Sequence, residues 1–382
     1  MTGSLSLRNA PCRMGRIGVL LGLLMAGGMR NSWCAGTPVT PPATGPRWVD
    51  ARELTLEGRG WSDTKDFYDR LPAKAEGRVR ASVWGLSHDS AGLRVRFVTD
   101  ATALSARWTV RKESLAMSHM AATGVSGLDL YVKENGRWHW IGTGRPEHFP
   151  TNEKSLVSGL AAKEREFALY LPLYNGVKEL QLGVPPEAKL RAAPPATAKP
   201  VVFYGTSITQ GGCASRSGMA YPALLGRSLD WPTINLGFSG NAHSEPEMAA
   251  LLAELAPAVY VLDPLPNMTA EMVTERLEPL VKTLRQAHPD TPILLVESID
   301  YPAGELVTAT RENIAAKNAA LQQVYQRLQE AGIKHLTYVS GGQLIGLDGL
   351  GTVDGVHPTD LGFARMAEGL QPDLQRALKS AR

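Results

Sequence analysis

The sequence predicts an α/β chain in two parts: an all-β, jelly-roll-like sandwich over residues 47–190, then a three-layer α/β/α domain with a parallel sheet over residues 200–382. Three observations predict it. Short segments that alternate apolar and polar residues crowd the first part. A Pro/Ala stretch, Arg191-Ala192-Ala193-Pro194-Pro195-Ala196-Thr197-Ala198, interrupts the chain. Beyond it, apolar strand-like runs alternate with helical periods.

Residues 1–36 read as a secretory signal peptide. Arg8, Arg13 and Arg16 precede the apolar run Ile17 to Met25, and small residues follow at Ala26-Gly27-Gly28 and Ala35-Gly36. The run is too short to span a bilayer. Trp33 directly before Cys34 is wrong for a lipoprotein anchor, so the expected product is a soluble periplasmic or secreted protein without stable membrane insertion. The segment holds four arginines and no acidic residue; its removal takes the formal charge of +3 to about −1. Nucleic acid thereby loses its electrostatic attraction as a partner. Cys12 and Cys34 fall in or beside this segment, which leaves Cys213 and no disulfide framework.

A Pro/Thr-rich linker, residues 37–46, leads into the predicted sandwich. Leu93 to Phe97, Ser105 to Val110, Leu128 to Val132 and Leu180 to Val184 alternate with a period of two. Trp48, Trp61, Trp84, Trp108, Trp138 and Trp140 fall here, fit for filling a sandwich core or for stacking on sugar rings. Asp129, in an alternating strand, is expected to tie down a neighbouring loop, and His119 is a candidate substrate contact.

After the linker at 191–199, five runs read as buried parallel strands: Val201–Tyr204, Thr233–Leu236, Ala258–Leu262, Ile293–Glu297 and His335–Val339. Between them, Ser244-Glu245-Pro246-Glu247 reads as a capping box opening a helix to about Leu255. A second helix carries Met272, Val273, Leu277, Leu280, Val281 and Leu284 on one face. A third carries Ile314, Leu321, Val324 and Leu328 and stops at Gly332. Right-handed crossovers put every strand's C-terminal end on one rim.

Chemistry gathers at that rim. Asp354-Gly355-Val356-His357 spaces an aspartate three residues before a histidine, so the carboxylate can accept from Nδ1 and leave Nε2 as a base. Ser207 follows the first strand in Tyr204-Gly205-Thr206-Ser207. Cys213 lacks a local His or Asp and reads as a small residue near the site wall. The eight histidines show no metal-ligand spacing, and Gly211-Gly212 lacks the Lys-Ser/Thr of a phosphate loop. No cofactor or metal is assigned.

These stretches resemble the GDSL/SGNH esterase superfamily. Its glycine block is similar to Asn235 to Asn241 and its asparagine block to Leu262 to Met268. The resemblance implies a catalytic Ser207, Asp354 and His357, with an oxyanion hole from the N–H groups of Ser207 and Gly240 and the Asn267 amide. Thr206 stands where the superfamily name places an aspartate, and Pro266-Asn267-Met268 departs from the usual Gly-x-Asn-Asp; a helix cap near Thr269 is the alternative role for Asn267. Gly127-Leu128-Asp129-Leu130-Tyr131 matches the Gly-x-Asp-Leu-Tyr signature of a domain that precedes such hydrolases in some bacterial proteins. The implied activity is hydrolysis of O-acyl, foremost O-acetyl, esters on a polysaccharide or oligosaccharide. Acyl transfer, esters of small molecules or lipids, and glycan binding on a relic hydrolase are the alternatives. Oligomeric state stays open.

Overall fold

The structure, a computed structural model, describes residues 45–381. The expected signal peptide, Cys12, Cys34 and residues 37–44 of the first linker lie outside the described residues.

The alternating segments build two antiparallel sheets. One runs Arg47–Asp50, Val177–Val184, Ala103–Val110, Thr151–Ser158 in spatial order. The other runs Leu190–Ala192, Arg94–Thr99, Arg165–Tyr170, Leu128–Glu134, Arg137–Gly144, with Thr55–Glu57 also paired to Arg94–Thr99. Along Ala103–Val110 every second residue, Leu104, Ala106, Trp108 and Val110, is buried. They meet Phe97, Leu128, Leu130, Phe167 and Leu169 of the facing sheet. Removing each large side chain from water contributes about 1.5–3 kcal/mol, which sets the register of the pleat.

The second part is a five-stranded parallel sheet in the order Thr233–Gly237, Val201–Gly205, Val259–Asp263, Ile293–Val296, Leu336–Val339. In chain order this is 2-1-3-4-5, so the strand order reverses at Val201–Gly205. A crevice opens at such a reversal beyond the strands' C-terminal ends. Both faces are covered, which is why these strands read as unbroken apolar runs. Val202, Tyr204, Leu236, Tyr260 and Leu262 share a core with residues of the Pro246–Ala253, Ala270–Ala287 and Thr308–Glu330 helices. Val201, Phe203, Val259 and Val261 pack on the Tyr221–Ser228 and Asp360–Ser380 side.

Two local expectations need correction, and the choice left open for the tryptophans resolves toward packing for Trp108 and Trp61. Ser244 does not open a capping box: it sits at φ 54, its N–H donates to Tyr204 Oη, and the Pro246–Ala253 helix starts without a side-chain cap. Glu245, at the cap position, spends its carboxylate on Arg80 instead. The tryptophans do not form one sugar-stacking platform. Trp108 fills the sandwich, Trp61 the core of the α/β layers, and Trp140 is half exposed under the Arg216 guanidinium. Finally, Trp61, Leu71, Ala75, Val79 and Val83 pack against the parallel sheet's helical face, not inside the sandwich. That stretch lacks period-two alternation and forms turns and the short Ala81–Ser87 helix.

Arg70 binds the two parts together. Fully buried, it donates to the carbonyl oxygens of Leu86, Asp89 and Gly237, each at 2.7 Å, and of Asn235 at 3.3 Å. Burial pulls its pKa down to about 10 against the pull of Asp89, which leaves it charged at neutral pH.

Candidate active site

Ser207 begins a one-turn helix, Ser207–Gln210, just beyond the Val201–Gly205 strand at which the strand order reverses. Thr206 is its cap: the hydroxyl accepts from the Ile208 N–H at 3.2 Å. An aspartate would cap the same donor, but Thr206 is wholly buried, where a neutral hydroxyl costs less than a carboxylate. The substitution therefore keeps the turn. Gly237, at the end of the next strand, lets that turn approach, since a Cβ there would lie 2.1 Å from the Gln210 nitrogen.

Asp354 and His357 lie on the loop between the last strand and the last helix. Asp354 Oδ1 accepts from the N–H groups of Val356, at 3.1 Å, and His357, at 2.8 Å, which winds the loop around the carboxylate. Its Oδ2 lies 2.7 Å from His357 Nδ1, and His357 Nε2 lies 2.9 Å from Ser207 Oγ. The three residues thus form one continuous relay. Burial raises the Asp354 pKa, but the hydrogen bonds from His357 and Val356 outweigh it and bring the carboxyl down to about 2. Gly212 gives the imidazole room: a Cβ there would meet His357 Cδ2 at 3.0 Å.

Gly240 lies in the exposed turn after Phe238 at φ 68, and among the described residues no partner takes up its N–H. Asn267 ends a short 3₁₀ turn, Leu265–Asn267. It does not cap the following helix; Thr269 does, accepting from the Met272 N–H. Asn267 Oδ1 instead accepts from the Ala242 N–H at 3.3 Å, which ties the asparagine turn to the glycine turn and leaves the amide NH₂ to donate.

The sandwich reaches this site. Tyr174 Oη, buried, donates to the Ser207 carbonyl at 3.3 Å. The His119 ring faces His357 with centroids 5.5 Å apart. Asn175 roots the segment that carries His119, accepting from the N–H groups of Arg111 and Lys112 at 3.1 and 2.8 Å. Asp129 anchors the loop after the serine turn: it accepts from Gly218 N–H at 2.9 Å, Arg216 Nη1 at 3.0 Å and Trp140 Nε1 at 2.8 Å. Tyr131 Oη donates to Asp129 and accepts from Arg216. The Gly-x-Asp-Leu-Tyr stretch is therefore a seam between the two parts.

Tyr174 and Gln210 were not singled out from sequence. Gln210 donates to Asp89 and to the Leu173 carbonyl while accepting from the Ser239 N–H. Neither Leu173-Tyr174-Asn175 nor Thr209-Gln210-Gly211 carries a local pattern that marks its middle residue. Cys213 has partners after all, since the fold brings His119, Asp354 and His357 around it. Burial, with the Asp354 charge adding to it, pushes its thiol up to about 12, so at neutral pH it stays a thiol, the weakly nucleophilic form.

A sequence model of the GDSL-like lipase/acylhydrolase family matches residues 198–375, and one of the N-terminus of SGNH-hydrolase-type esterases matches residues 46–190. A crystal structure of a protein assigned to the GDSL-like lipases, from Bacteroides ovatus, is 37% identical with a TM-score of 0.84, covering 87% of this chain and 98% of that one. Two more distant structures share the fold. A salicylyl-acyltransferase of a tetracycline biosynthetic pathway is 20% identical with a TM-score of 0.71, covering 87% of this chain and 97% of its own. A family two carbohydrate esterase from Clostridium thermocellum, in complex with cellohexaose, is 18% identical with a TM-score of 0.55, covering 76% and 94%. No curated protein matches the chain. Among the described residues no helix is long and apolar enough to cross a membrane. Two family models in chain order and a 37%-identical relative spanned almost end to end place this chain in the GDSL-like lipase/acylhydrolase family of SGNH-type esterases.

Proposed function

We propose that the protein is an exported serine esterase that removes O-acyl groups, foremost O-acetyl, from a carbohydrate. The observation that carries this reading is the Ser207–His357–Asp354 relay, with both of its hydrogen bonds at 2.9 Å or less.

Ser207 Oγ attacks the ester carbonyl while His357 Nε2 takes its proton. Asp354 holds the ring so that Nδ1 carries a hydrogen and Nε2 a lone pair, and it balances the positive imidazolium. The carbonyl oxygen becomes an oxyanion, for which the N–H groups of Ser207 and Gly240 and the Asn267 amide are the donors. Collapse expels the sugar hydroxyl, protonated by His357, and leaves an acyl-serine. Water then attacks with His357 as base, and the carboxylic acid departs.

The carbohydrate substrate draws support from the shared fold with the cellohexaose-bound esterase and from the expected signal peptide. A second reading, acyl transfer, is favoured by the acyltransferase likeness at a TM-score of 0.71. One experiment tests both: acid release from acetylated polysaccharides and from small acetyl and longer acyl esters, with competing alcohols, beside Ser207→Ala. Acetate from one glycan class, lost in the variant, supports the esterase. Products carrying the acyl group on the added alcohol favour transfer. No acid from any ester overturns the hydrolase reading.

A further inference from the structure

The fold gathers a second set of donor atoms around the proposed base. One ligand atom from each of His119, Cys213, Asp354 and His357 lies within 4.8 Å of the others. The four come from three separate segments: the sandwich stretch rooted by Asn175, the loop after the serine turn, and the Asp-His loop. Sequence spacing therefore could not reveal them. Cys213 is held at φ 70, a left-handed conformation uncommon outside glycine, and its side chain is buried beside the imidazole.

The donor set selects its ligand. One sulfur, two imidazole nitrogens and one carboxylate oxygen suit a borderline-soft divalent cation of the zinc type, four-coordinate and tetrahedral. Calcium and magnesium prefer oxygen throughout. Metal–ligand bonds of roughly 2.0–2.3 Å place tetrahedral ligand atoms about 3–4 Å apart, so modest side-chain rotation closes the set, and His119 is exposed enough to supply it. A thiolate and a carboxylate together neutralise the dication. The other comparable group, Asp66, Asp69 and His88, already has Arg111 as its counter-ion and needs none.

We propose that His119, Cys213, Asp354 and His357 form a reversible inhibitory site for a thiophilic divalent cation such as Zn²⁺. Binding displaces the Cys213 thiol proton to solvent and commits an imidazole lone pair of His357 to the metal. Ser207 then loses its base, and chelation restores it. The inhibitory consequence rests on the serine-esterase reading; the binding does not.

The test uses the full mature chain. Ser207→Ala retains all four donors and separates binding from turnover. Titrated with Co²⁺, it is expected to bind one ion per chain and show a thiolate-to-metal charge-transfer band, which Cys213→Ser abolishes and His119→Asn weakens at least about tenfold in affinity. In the active chain, Zn²⁺ is expected to suppress ester hydrolysis and a chelator to restore it. His119→Asn and Cys213→Ser, each compared with its own metal-free rate, should need at least about tenfold more Zn²⁺. Absence of the Co²⁺ band, or variants as zinc-sensitive as the parent, overturns the proposal. An active, zinc-insensitive esterase overturns it while leaving the esterase reading intact. A Co²⁺ band in a chain that hydrolyses no ester sustains the cation site and removes only the esterase reading.

Discussion

Asp129 holds the Arg216 guanidinium at 3.0 Å across the seam between the sandwich and the α/β layers. Asp129 is wholly buried and Arg216 is partly exposed, so removing the carboxylate strands a cation that water only partly reaches. Asp129→Ala is expected to cost about 3 kcal/mol in urea unfolding. It should also raise KM, because the same carboxylate anchors the loop from Cys213 to Gly218 beside Ser207. Unfolding and steady-state kinetics on one preparation check both.

Asp354→Asn should leave the loop intact and disturb the imidazole's tautomer. The expected loss is about 10²- to 10⁴-fold in kcat with KM little changed. With its pKa brought down to about 2, Asp354 itself stays ionised from about pH 4 upward and does not set the acid limb of the rate profile. Its folded value lies below the unfolded one. Its stabilising contribution is therefore complete above about pH 4 and is lost as pH falls toward 2.

Asn267→Ala should lower kcat about 10²- to 10³-fold if the amide serves the oxyanion. Loss of its bond to the Ala242 N–H alone would instead lower the melting temperature and leave kcat nearly unchanged. Measuring both quantities separates the two roles.

Asp263 ends the third parallel strand, 2% exposed, accepting from Thr209 Oγ1 at 3.2 Å and Tyr221 Oη at 3.1 Å. Burial raises its pKa to about 7 despite these donors. The folded state thus holds a proton that the unfolded chain releases near pH 4. The contribution of Asp263 to stability is greatest below that point and falls as pH rises toward 7, by up to a few kcal/mol. Asp263→Asn should flatten this slope, as denaturant midpoints from about pH 4 to 8 would show.

The five parallel strands were legible because burial on both faces leaves no polar residue to break their runs, as Val259–Asp263 illustrates. The relay was legible because Asp354 and His357 share one tight loop and Ser207 directly follows a strand. Ser244 misled because a Ser followed three residues on by a Glu has the pattern of a cap even where the backbone turns left-handed and the hydroxyl faces Met268. Tyr174 and Gln210 stayed obscure for another reason. Each acts on a residue far along the chain, and no local period encodes which loop a tyrosine hydroxyl will meet.

The buried guanidinium of Arg70 has a consequence for how the chain matures. Two of its acceptors, the carbonyls of Asn235 and Gly237, are synthesised about 165 residues after it. Until they arrive, the region around Arg70 would have to bury a charge with half of its partners missing, so its final packing waits for the parallel sheet. The stretch around Arg70 and the parallel sheet therefore reach their final packing together. A fragment consisting of residues 200–382 alone would expose the helical face that Trp61, Leu71 and Val83 cover, an apolar patch of the kind that favours aggregation.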